Sequence, residues 1–126
     1  MKHKESEEMY LETIYVLTQK SSYVRSVDVA TELGYSKASI SVAMKRLREK
    51  DYVSIDSSGI ISLTEVGKKL ALDIYERHHL LTAMFVHLGA NATLAEENAC
   101  RIEHVISAEL VDIIRNHLHG KIQAAT

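Results

Sequence analysis

Three places in the chain hold side chains able to bind a transition metal. The densest is the stretch Cys100-Arg101-Ile102-Glu103-His104. Positions three and four apart share one face of a helix. A thiolate, a carboxylate and an imidazole would converge there, a donor set suited to a divalent first-row metal. Each of them alone has a plainer explanation. An isolated cysteine is commonly a small buried hydrophobe, and an isolated histidine is commonly a hydrogen-bonded core residue. The argument for a metal rests on the three together. Met9 and Glu12 are three apart near the N-terminus and can point the same way, although singly they read as a core methionine and a solvated acid. Arg77-His78-His79 brings two further imidazoles.

A second chemistry lies between residues 36 and 50. Ser36-Lys37-Ala38-Ser39-Ile40-Ser41 puts small hydroxyl residues at a helix start, where backbone N–H groups approach phosphates and base edges closely. Lys37, Lys45, Arg46, Arg48 and Lys50 follow against the single acid Glu49. Ser36, Lys37, Ala38, Ser39, Ser41, Lys45 and Arg46 are therefore the candidate DNA-contacting residues. The chain as a whole has a formal net charge of -2, yet residues 1–50 carry nine Lys/Arg against seven Asp/Glu and residues 51–126 carry six against ten. A local basic patch on an acidic molecule fits a dedicated DNA-binding element. A solvated helix face, or a winged helix that binds protein instead, is the plainer alternative.

The elements that must hold these residues are mostly helical. There is no Pro, and only five Gly in 126 residues. A helix is predicted over 6–19 with Ser6 as its cap, a second over 26–33 capped by Ser26, with Val27, Val29, Ala30 and Leu33 inward. A third starts after the Gly34-Tyr35 break, is capped by Ser36 and runs to about Lys50. Residues 52–55 and 60–63 alternate like strands around Asp56-Ser57-Ser58-Gly59. Long helical periodicity then covers 64–88, a helix capped by Thr93 reaches about Val105, and a last one runs from Ser107 to about Leu118 with Leu110, Ile113, Ile114 and Leu118 as its apolar stripe. Helix, helix, tight turn, helix, hairpin is the order of a winged helix-turn-helix. The predicted fold is mostly α: a winged helix-turn-helix over 1–70, then a helical dimerisation and metal-binding region over 71–126.

Composition narrows the classes. No apolar run reaches transmembrane length and the N-terminus lacks a signal-like apolar segment. One Cys cannot form an internal disulfide, in keeping with a cytoplasmic, reducing setting. A metalloenzyme is a poor fit, because no Gly-rich cleft loop or second acid–base constellation accompanies the His, Glu and Cys residues; no small organic substrate is expected. A metal-independent winged-helix DNA binder remains an open alternative.

Three motifs carry a resemblance: Glu8-Met9-Tyr10-Leu11-Glu12-Thr13-Ile14-Tyr15, Arg77-His78-His79-Leu80 and Ala99-Cys100-Arg101-Ile102-Glu103-His104-Val105. Over residues 5 to about 118 the sequence resembles the diphtheria-toxin-repressor family of metal-dependent transcriptional regulators, which includes iron and manganese regulators. The resemblance implies that Met9, Cys100, Glu103 and His104 match the main activating site of the iron-responsive branch. His78 matches a ligand of both branches, and Glu12 matches one of the manganese branch. The chain departs from the iron branch's second site, where Thr82 and Glu96 stand in place of an acid and a histidine; Glu96 and His79 are left open as ligands. It also ends without the SH3-like third domain of longer members, a two-domain length typical of the manganese regulators. The resemblance implies a homodimer binding a two-fold symmetric operator in double-stranded DNA near metal-uptake genes, with no membrane partner. The two sulfur donors favour Fe(II), with Mn(II) as the alternative, and Zn(II), Co(II) or Ni(II) would bind in vitro.

Overall fold

The computed structural model describes residues 3–125, with side chains described for 6–120. Six helices and one hairpin follow in the order α1 (His3–Lys20), α2 (Ser26–Leu33), α3 (Lys37–Glu49), β1 (Val53–Ile55), β2 (Ile61–Leu63), α4 (Glu65–His87), α5 (Ala92–Ile102) and α6 (Ala108–Ala125). The chain divides into two compact units, residues 1–73 and 74–126.

In the first unit, α1, α2 and α3 bury one apolar cluster with the hairpin. Leu11 and Ile14 of α1, Val29 of α2, Ile40 and Leu47 of α3 and Val53 of β1 are each almost wholly out of water. The strands pair antiparallel, Val53 opposite Leu63 and Ile55 opposite Ile61, which turns Val53 and Ile61 inward together. This is the winged helix-turn-helix that the order of elements predicted.

Three helix ends, those of α2, α3 and α4, share one device. Gly34 adopts a left-handed conformation (φ 71°) and the next N–H, of Tyr35, reaches back to the Ala30 carbonyl at 3.1 Å. Gly89 and Ala90 repeat the pattern after α4, with Ala90 N–H on the Phe85 carbonyl. The third instance closes α3: Asp51 takes φ 62°, Asp51 N–H bonds Arg48 O, and Tyr52 N–H bonds Leu47 O. Each satisfies carbonyls that a helix end otherwise leaves without partners.

The corner between β2 and α4 is tight. Thr64 N–H bonds the Tyr52 carbonyl at 3.0 Å, its hydroxyl donates to Asp51 O at 2.6 Å and accepts from Gly67 N–H at 3.1 Å. Thr64 thus caps α4 and ties its start to the end of α3. Gly67 packs directly on the Tyr52 carbonyl, and a β-carbon there would overlap that oxygen.

Several local expectations are corrected. α1 starts at His3, ahead of Ser6, because Lys4 and Glu5 are good helix formers and nothing interrupts them. Arg25, not Ser26, holds the N-cap position of α2. Its N–H bonds the Asp28 carboxylate at 2.8 Å, and Val27 is consequently turned outward. Asn91 caps α5 through a bond from Leu94 N–H, two residues before the predicted Thr93. In α6 the buried line is Val111, Ile114 and Leu118, a spacing of three and four, so Leu110 and Ile113 face outward. Leu81, Ala99, Ile114 and Leu118 form the core of the second unit.

Candidate functional site: metal centre and nucleic-acid interface

The first unit presents α3. Ser36 caps it, with its hydroxyl oxygen accepting from Ser39 N–H at 3.2 Å and the two serine hydroxyls 3.0 Å apart. Ile40, Ala43, Met44 and Leu47 anchor the inner face. Ser36, Lys37, Ala38, Ser39, Ser41 and Lys45 are all exposed, and Arg46 is half-buried. Val42 is exposed too, a residue that sequence reasoning passed over because it sits among apolar core positions in the linear sequence.

Lys50 is engaged: its ammonium lies 2.7 and 2.9 Å from the two carboxylate oxygens of the buried Glu7 on α1. It therefore adds little to the outward charge of α3 and instead fixes the end of that helix to α1. The wing turn is acidic and self-contained, with one Asp56 oxygen accepting from Ser58 and Ile60 N–H at 2.8 and 2.9 Å.

Met9 and Glu12 are both half-buried on α1. The Tyr35 hydroxyl donates to Met9 Sδ at 3.9 Å, and the Tyr35 ring meets Tyr10 edge to face at 6.2 Å between centroids. Burial, reinforced by neighbouring Tyr35 and opposed by the positive charge of Arg46, pushes the Tyr10 hydroxyl above its ordinary pKa. Tyr10 thus stays neutral at neutral pH. Sequence reasoning missed this aromatic pair, since nothing in the spacing of Tyr10 and Tyr35 announces it.

In the second unit the organising group is the Glu103 carboxylate, which is wholly buried. A buried carboxylate needs matched donors on its oxygens. His78 Nδ1 from α4 lies 2.7 Å from Oε2, and His104 Nε2 lies 3.2 Å from Oε1. The Arg77 guanidinium donates to the Glu103 main-chain carbonyl at 3.2 Å. Glu103 holds the C-cap position of α5, which ends at Ile102 and not near Val105. Glu103 still has the right-handed helical conformation and its N–H bonds Ala99 O at 2.9 Å, so Cys100 and Glu103 stay one helical turn apart. Cys100 is exposed on α5 while Glu103 is buried beyond its end. Of the other candidates, His79 is exposed with its ring edge on Tyr75, Glu96 is exposed, and the Thr82 hydroxyl donates to the His78 carbonyl at 2.8 Å.

The donor chemistry of His78, Glu103 and His104 fits a divalent transition metal. Metal–nitrogen and metal–oxygen bonds of about 2.0–2.2 Å place the donors of one coordination sphere roughly 3 Å apart, and the two pair distances match that spacing. The pairs use opposite oxygens of one carboxylate, however, and among the described residues no three His, Cys, Asp or Glu side chains already converge on one point. Which of the facing imidazole nitrogens donates to the carboxylate is set by the histidine tautomers. A ligating imidazole nitrogen must be free of its hydrogen, which makes metal binding pH-dependent.

Both halves of the chain match known proteins. The family model described as iron dependent repressor, N-terminal DNA binding domain matches residues 2–71, and the model for the iron dependent repressor metal binding and dimerisation domain matches residues 64–120. The transcriptional regulator MntR of Escherichia coli O6:H1 is 31% identical over 106 residues, covering 84% of this chain and 68% of that protein. The HTH-type transcriptional regulator MntR of Shouchella clausii is 31% identical over 109 residues, covering 86% of this chain and 76% of that one. A solved manganese-dependent transcriptional repressor in complex with manganese superposes with a TM-score of 0.83 at 27% identity, over 90% of this chain and 52% of that one, so the chain spans about half of that structure's length. No helix among the described residues is long and apolar enough to cross a membrane. With both halves matched in order, the chain belongs to the iron-dependent repressor family of metal-dependent transcriptional repressors, DNA-binding regulators and not enzymes.

Proposed function

We propose that this protein represses metal-uptake genes in the cytoplasm by binding a two-fold symmetric operator as a homodimer when a divalent transition metal is bound. Residues 1–70 read DNA and residues 71–126 bind metal and dimerise. The observation that carries the proposal is the buried Glu103 carboxylate set between His78 and His104. Met9, Glu12 and Cys100 complete the ligand set we assign, and Ser36, Lys37, Ala38, Ser39, Ser41, Lys45 and Arg46 form the DNA-facing surface. The metal's role is charge and cross-linking: it neutralises Glu103 and fixes the ligands it gathers, which narrows the conformations open to the apo protein. Exposed Leu88, Leu94, Val105, Leu110 and Ile113 give the second unit an apolar surface that a second copy would cover.

Two metals compete for the site. Sulfur from Met9 and Cys100, with the two imidazoles, favours Fe(II). The exposure of Cys100, the inclusion of Glu12 as well as Glu103 in the ligand set and the manganese bound by the solved relative favour Mn(II). Chelator-treated protein, titrated anaerobically with each metal while DNA binding is read by fluorescence anisotropy, tests both. We expect operator affinity to rise at least ~10-fold on metal binding, about 1.4 kcal/mol of coupling. Equal affinity with and without metal would sink the proposal, and activation at lower Mn(II) than Fe(II) would decide for the manganese reading. Replacing both sulfur ligands, Met9→Asp with Cys100→Glu, is expected to shift the response toward Mn(II).

A further inference from the structure

The buried residues Ile40, Ala43, Met44 and Leu47 set the inward direction of α3. At 3.6 residues per turn, the line opposite them runs through Ala38, Val42, Lys45 and Glu49. Val42 sits in the middle of that line with 60% of its surface exposed, the one large apolar side chain that α3 exposes among the described residues. Its neighbours on the outward half, Ser41 and Lys45, are polar and exposed. A β-branched residue loses side-chain freedom in a helix and gains nothing from water, so neither local propensity nor core packing selects a valine at this point. The outermost line of a recognition helix is the part that reaches deepest into a major groove, and its N-terminal half meets the base edges. Valine has no donor or acceptor to offer there. The one methyl group that the major-groove edge of unmodified duplex DNA displays is the C5-methyl of thymine.

We propose that Val42 reads a thymine in each operator half-site by packing its two methyl groups against the thymine C5-methyl. Ala38, one turn earlier on the same line, lets the helix approach that base step without obstruction, and the Lys37 and Lys45 ammonium groups hold the flanking phosphates. Specificity at this base is apolar, while the affinity that salt weakens comes from the lysines. The inference rests on the reading of α3 as the DNA-binding helix.

The test uses the full chain loaded with Mn(II) and selects bound duplexes from a randomised library. Each thymine of the enriched sequence is then replaced in turn by deoxyuridine, which removes only the C5-methyl, and every duplex is measured with the wild type and with Val42→Ala. One thymine per half-site is expected to be methyl-sensitive with the wild type, by about fourfold per half-site, the worth of one buried methyl-sized group. Val42→Ala is expected to abolish that sensitivity and to leave the effects of all other thymines unchanged. Because Val42 is exposed, the variant should keep the wild-type fold, checked by its circular dichroism and melting curve. Enrichment of a sequence whose thymine methyls all act equally on both proteins would overturn the proposal while leaving metal-dependent DNA binding standing. A library from which no duplex is enriched would overturn both.

Discussion

Replacing Glu103 by glutamine is expected to abolish the metal response of DNA binding and to leave the metal-free protein folded. The carboxylate lies between two imidazoles, 2.7 Å from one and 3.2 Å from the other, in a fully buried position. An amide has the same shape and keeps an acceptor, and each neutral imidazole can present either a donor or an acceptor, so the apo hydrogen bonds can be rebuilt. What the amide lacks is negative charge, and a buried divalent cation held mainly by neutral ligands is poorly compensated. Metal affinity is expected to fall at least ~100-fold, about 2.8 kcal/mol. Operator affinity at saturating wild-type metal concentration should drop to the chelated level. Calorimetric titration with Mn(II), together with anisotropy on the selected duplex, measures both. A Glu103→Gln protein that still binds metal tightly and still responds would remove Glu103 from the site.

The largest stability effect is expected from one methyl group. Gly→Ala inside a helix ordinarily stabilises by about 0.5–1 kcal/mol through backbone entropy and propensity. At Gly67 the sign should reverse. Its β-carbon would overlap the Tyr52 carbonyl oxygen, which is backbone and is held in place by the Thr64 N–H bond. Neither partner can rotate away, so α4 must shift from the hairpin or the Thr64 corner must open. Gly67→Ala should cost about 3 kcal/mol, the upper end for overpacked sites, and lower the midpoint of thermal unfolding by well over ten degrees at about 4–8 °C per kcal/mol for a unit of this size. Gly120, in α6 with nothing within 4 Å of its would-be β-carbon, is the internal control. Gly120→Ala should raise the midpoint. Equal midpoints for the two variants would show that the Gly67 contact relaxes at no cost.

The sequence made some of this legible and hid the rest for identifiable reasons. Helix periodicity found every helix, because each buries a stripe three to four residues apart, and the Ser36 cap was readable because no competing cap former lies ahead of it within the turn. The caps at Asn91 and Arg25 were missed where two polar residues stand within two positions, and only the three-dimensional path of the entering chain chooses between them. The Glu103 centre was half legible. Residue types pointed to Glu103 and His104, but the end of α5 at Ile102 and the pairing with His78, distant in sequence, depend on packing that local rules do not contain. The same is true of Lys50, which counts toward a basic patch in the sequence and spends its charge on Glu7 in the fold.

The left-handed residue that closes α3 has a consequence for how the sequence can drift. Among the described residues three helices end with a left-handed residue; two use glycine, and the one joining α3 to the hairpin uses Asp51. A β-carbon in that conformation costs about 1–2 kcal/mol, less for Asp and Asn with their short polar side chains. Position 51 is exposed, so by burial alone it would accept almost any substitution. Backbone geometry closes it instead to β-branched and bulky residues and leaves glycine and asparagine as the easy exchanges. The junction between α3 and the hairpin is thus a surface site with a core site's narrow repertoire, and mutational tolerance along this chain follows φ as much as depth.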